Sequence, residues 1–127
     1  MDTYIRFQTQ LRCCNTGRPA GIFVAAGRIE DRTTTPELTR DRLREVLKWF
    51  NRNLTVPALD DSDWRSLFWF RSGSQAVISH LWELVHLLED EGVFVTKVRT
   101  SQPGMIVYRD EHQVAAVPRR KKHALRV

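Results

Sequence analysis

Cysteine is scarce in this sequence: the 127 residues contain two, Cys13 and Cys14, and they are neighbours. Adjacent cysteines bridge only through a strained peptide geometry, and there is no second pair, so a disulfide framework is excluded. No His or Lys stands near them in sequence to favour a thiolate, which points to ordinary loop or packing roles. Long apolar runs are missing too, since none approaches the roughly 18 to 20 residues that span a bilayer. The opening MDTYIRFQ has neither the charged nor the apolar region of a secretory signal. A reducing cytoplasm is the expected compartment, with no membrane partner.

Chemical signatures are equally sparse. The chain has no G-x-x-x-x-G-K-[ST] phosphate loop, no G-x-S-x-G elbow, no H-E-x-x-H and no C-x-x-C. The usual support for common enzyme classes is therefore lacking, and neither a catalytic residue, a metal site nor a cofactor is expected. An enzyme is left as the less favoured reading.

What is present describes one folded unit. Hydrophobic residues make up 42% and charged residues 28%, close to globular averages, and the length suits a single core. Net charge is +5, but its location matters more than its size. Residues 118–127 hold Arg119, Arg120, Lys121, Lys122 and Arg126 and no acid, which leaves residues 1–117 with 15 basic and 15 acidic side chains. The expected organisation is a neutral globular domain over 1–117 and a basic, flexible tail over 118–127. Such a tail attracts phosphates or acidic surfaces without sequence preference, or simply aids solubility.

Periodicity predicts the elements. Residues 4–11 (YIRFQTQL) alternate, with Ile5, Phe7, Thr9 and Leu11 on one side, as a half-buried strand does. Residues 13–21 concentrate Asn, Gly and Pro and read as a loop. Residues 22–30 suit either a short helix or a strand, with a lean to helix on Ile22, Ala26 and Ile29. From Thr35, expected as the cap, with Pro36 at the first helical position, the residues Leu43, Val46, Leu47, Phe50 and Leu54 recur at helical spacing. Residues 67–70 (LFWF) read as an interior strand, and Val77, Ile78, Leu81, Leu84, Val85 and Leu88 form the clearest helical stripe, stopped at Gly92. Residues 93–98 read as a strand, and 105–117 as two strands folded around Asp110 and Glu111. The predicted fold is α+β: two amphipathic helices on one face of a four- or five-stranded, largely antiparallel sheet whose other face is open. Alternation places Arg6, Gln8, Lys97 and Arg99 on that open face with Tyr4 and Gln113, a placement that a one-residue slip reverses.

Candidate functional residues follow from that layout. Arg6, Lys97 and Arg99, aided by Arg119, Arg120, Lys121 and Lys122, are the candidate nucleic-acid contacts. Trp49 and Trp82 lie beside the main stripes of their helices and, with Arg52 on the Arg-rich face, are the candidate protein interface, although a wider core stripe explains the tryptophans more simply. Glu83 and His86 have the i, i+3 spacing of di-metal bundles but no second copy, so His80 and His86 read as helix-flank residues. Asp60, Asp61 and Asp63 lack the Gly and distal Glu of a calcium loop and read as solvated.

The strings YIRFQTQ (4–10), GIFVAAG (21–27), LKWFNRNL (47–54) and PGMIVYRDEHQVAA (103–116) resemble those of a family of short bacterial proteins without an assigned activity. The resemblance spans most of residues 4–117 and brings no site residue with it. It implies a bacterial cytoplasm, in a mobile-element or phage-conflict setting. The expected function is a non-enzymatic module that binds a protein partner, with the tail adding contact to nucleic acid or an acidic surface. The alternatives are a nucleic-acid reader using the open sheet face and a small metal-dependent nuclease whose carboxylates gather only in three dimensions.

Overall fold

A computed structural model describes residues 2–12, 19–57 and 66–119. The elements run β1 (Tyr4–Arg12), β2 (Pro19–Gly21), α1 (Ile22–Asp31), α2 (Glu37–Asn53), β3 (Leu67–Arg71), α3 (Gln75–Asp90), β4 (Val95–Thr100), β5 (Met105–Arg109) and β6 (Gln113–Val117). This is the expected α+β class, with three helices rather than two and six strands rather than four or five among the described residues. The extra helix is the ambiguous 22–30 segment. Ala25 and Ala26, both at 0% exposure, let α1 lie close against its neighbours, and Ile22 and Ile29 complete its buried face. The extra strand is β2, whose Pro, Ala and Gly carry no strand propensity. Pairing with β1 at Gln8↔Gly21 and Arg12↔Pro19 makes it a strand.

Every strand pair is antiparallel, and β1 is the axis of the sheet. Along one edge β4 pairs with it residue for residue, from Tyr4↔Thr100 to Thr9↔Val95. The opposite edge is shared. β3 holds the first end, at Tyr4↔Arg71 and Ile5↔Phe70, and β2 the other, from Gln8 to Arg12. On its other edge β3 pairs with β6, from Leu67↔Ala116 to Phe70↔Gln113, and β6 pairs in turn with β5. The sheet therefore forks between β2 and β3.

The helices cover one face. Ile5 and Phe7 of β1 and Phe70 of β3 meet Leu43, Val46 and Phe50 of α2 and Val77, Leu81, Leu84, Val85 and Leu88 of α3 in one core. Each fully buried aliphatic side chain contributes roughly 1.5–3 kcal/mol of transfer free energy, so this cluster supplies the main driving force. The opposite face is not the open surface that alternation suggests. Tyr4, Trp69, Val114 and Ala116 are buried there in a second cluster, with Leu67, Val98 and Ile106 packed around them.

Two local expectations also change. Thr35 does not cap α2: its hydroxyl donates to the Ile29 carbonyl at 2.5 Å, tying the linker to the end of α1. Pro36 takes the capping position instead of the first helical one. Gly92, at φ 83°, is the left-handed stop expected after α3.

Candidate binding cleft

The fork positions a cleft. As β3 diverges from β1, the start of α1 and the end of α2 arch over the gap and enclose about 800 Å³. Phe23, Phe50 and Phe70 form one wall in edge-to-face contact, with centroids 4.9 Å apart for Phe23–Phe50 and 5.9 Å for Phe23–Phe70. Leu47, Leu54 and Phe68 extend the apolar lining. Val24 and Val56, 47% and 87% exposed, carry it outward past the mouth.

Few polar groups reach the cleft, chief among them Arg6 and Gln113. Arg6 lies where β1 has passed from β3 to β2, and its Nη1 donates to the Phe68 carbonyl at 3.4 Å. The guanidinium lies against Gly21, and a Cβ there would make ordinary van der Waals contact with both terminal nitrogens at 3.5 Å. Gln113, on the helix side opposite Phe70, donates from Nε2 to the Thr55 carbonyl at 2.6 Å and fastens the end of α2 to β6.

Gln113 belongs to a clasp built on Asp110 in the β5–β6 turn. The carboxylate accepts from Tyr108 Oη at 2.6 Å, the His112 N–H at 2.8 Å, the Gln113 N–H at 2.9 Å and Gln113 Nε2 at 3.3 Å. Burial pushes this carboxyl up, but the donors outweigh it and hold Asp110 below the usual carboxylate range. The same hydrogen bond raises the Tyr108 phenol, with burial and the carboxylate charge adding to it.

The sequence-derived candidates do not come together. Register sets Lys97 opposite Phe7 and Arg99 opposite Ile5, on the helix side, whereas Arg6 stands opposite Val98 on the other side. Arg6, Lys97 and Arg99 therefore do not share a face, and Gln113 leaves Tyr4 and Gln8 as well. Lys97 and Arg99 continue the side of Val93 and Val95, which pack into the main core, and the pairing of Lys97 with Phe7 turns that side toward the helices. Trp49 stacks on His80 at 3.6 Å and 8°, whereas Trp82 packs edge-on to Phe7 at 5.1 Å with Lys97 Nζ 5.8 Å from its ring. His80 and Trp82 are two residues apart on α3 and project to opposite flanks, so Trp49 and Trp82 form no common patch. Arg52 is exposed near the end of α2, and Arg119 is exposed after β6. Arg120, Lys121, Lys122, Cys13, Cys14, Asp60, Asp61 and Asp63 lie outside the described residues.

Among the described residues no three His, Cys, Asp or Glu side chains gather as a metal ion requires, and no helix is long and apolar enough to cross a membrane. The cleft is not legible in the sequence because its lining comes from six separate elements, β1, β2, α1, α2, β3 and β6. Phe50 stands on the predicted stripe of α2, but no local pattern joins it to Phe23 or Phe70. Comparison with protein-family models, curated proteins and solved structures finds no match for this chain.

Proposed function

We propose that this chain is a non-enzymatic binding module that seats an apolar portion of a protein partner in the cleft at the sheet fork. The observation that carries this reading is the continuity of the apolar lining from Phe23, Phe50 and Phe70 out to exposed Val24 and Val56. A surface that stays apolar past the mouth suits a macromolecule that covers the rim as well as filling the hollow. The described lining offers guanidinium, amide and hydroxyl groups and none that titrates between about pH 3 and 9. Those groups orient a bound chain; they do not shuttle protons at neutral pH. The resemblance in sequence supports a bacterial, cytoplasmic setting tied to mobile elements or phage conflict, and the basic tail adds salt-sensitive contact to nucleic acid or an acidic surface.

A photo-crosslinking side chain at Val56 or Val24, with Leu38 as an equally accessible control, tests this in the source cell. Leu38 is 68% exposed and lies in the first turn of α2, away from the cleft lining. The expected result is one discrete protein adduct at Val56 and Val24, absent at Leu38 and lost when Phe23→Asp disrupts the wall in a chain shown to remain folded. Equal labelling at all three positions, or none at the cleft, overturns the reading. Ending the chain after Val117 should remove weak, salt-dependent nucleic-acid binding; tight binding that survives truncation assigns that role to the folded body instead.

A further inference from the structure

Among the outer strands of the sheet, β2 is only three residues long, and the two longer ones, β4 and β5, are not equivalent. β5 is blunted by an irregularity between Ile106 and Tyr108, and Pro103 and Gly104 precede it. β4 pairs with β1 over six consecutive residues with no shift, contains no proline, and has no strand on its other side among the described residues. In an antiparallel strand the hydrogen-bonding groups alternate in direction, so about half of these residues turn N–H and C=O outward. An extended chain laid along this edge finds a ready ladder.

Side chains say which extended chain fits. Lys97 and Arg99 are exposed, stand two residues apart on the helix side and form no ion pair among the described residues. Trp82, 39% exposed, lies beside Lys97 on that same side. On the other side β4 presents Thr96, Val98 and Thr100, all uncharged. Directly opposed residues of an added antiparallel strand share a side, so the complementary pattern is an acidic residue at every second position with β-branched residues between. A second copy of this chain is a poor occupant. Joining two β4 edges across a dyad normal to the sheet sets Lys97 and Arg99 of both copies on one side, like charge beside like charge.

We propose that the β4 edge is a docking site for an acidic, extended segment of a protein, which adds to the sheet as a further strand. The site is separate from the cleft and stands whether or not the cleft reading does.

The test uses the full chain, amide NMR spectra and three capped octapeptides: alternating Glu-Val, alternating Lys-Val, and a Glu/Val isomer in blocks of two. Shifts and slowed amide exchange confined to β4 are expected with Glu-Val. Binding should be about tenfold weaker for Lys-Val, from two cross-strand pairs turned from attraction to repulsion, and weaker for the blocked isomer. The double variant Lys97→Glu, Arg99→Glu should reverse the preference, and both positions are exposed, so the fold is retained. Equal binding of all three peptides, shifts that map elsewhere, concentration-dependent self-association through β4, or stronger shifts at β4 with single-stranded DNA each overturn the proposal.

Discussion

Replacing Asp110 tests the clasp that closes the cleft against the β5–β6 turn. Its carboxylate accepts four hydrogen bonds, two from backbone N–H groups and two from the Tyr108 and Gln113 side chains. A hydrogen bond to a charged group contributes about 1.5–3 kcal/mol. The turn is partly open to water, which replaces some of what is lost, so about 1 kcal/mol per backbone bond is the appropriate scale. Asp110→Ala should therefore lower stability by about 2–3 kcal/mol, a fall in Tm of roughly 10 °C for a domain of this size. Asp110→Asn keeps the shape and loses the charge, and should cost about 1 kcal/mol. The pH dependence has a definite sign. Because the folded carboxyl is held below its usual range, the unfolded chain binds its proton more readily. The stabilisation is present above the unfolded value of about 3.9 and is lost as pH falls through the folded value. Urea denaturation of wild type and Asp110→Asn at pH 7 and at stepwise lower pH should show the two curves converging in acid. An Asp110→Ala midpoint within about 0.5 kcal/mol of wild type, or a gap that stays constant into acid, would refute the reasoning.

Other substitutions probe the frame around the cleft. Gly104 has φ 122°, and a Cβ there would collide with the Val117 carbonyl, so Gly104→Ala should cost more than about 2 kcal/mol in chemical denaturation. Gly27 lies inside α1 with nothing within 4 Å of an added Cβ, and Gly27→Ala should raise the thermal midpoint through about 0.5–1 kcal/mol of helix propensity. Leu81 is fully buried in the main core, and Leu81→Ala should cost about 2–4 kcal/mol, measured by the shift of the urea midpoint at unchanged slope.

Much of the frame is legible in the residues themselves, because strong periodicity is a local property. The alternation of Ile5, Phe7 and Thr9 and the stripes of α2 and α3 name the core-facing residues directly, and Asp110 and Glu111 mark the last hairpin. Weak local signals fail where distant partners decide. Pro19–Gly21 has no strand character until β1 pairs with it, whereas the lean of the 22–30 segment to helix holds, with Ala25 and Ala26 buried against its neighbours. The candidate cations illustrate the limit most clearly. Sequence alone determined that Lys97 and Arg99 share a side, since period two is built into any strand, but which side depended on pairing with β1. Composition likewise determined a neutral body and a basic end. Only tertiary structure decided that Phe23, Phe50 and Phe70 meet over a fork in the sheet, because β2 and β3 compete for one edge of β1 and no local pattern records which residue of that edge each one takes.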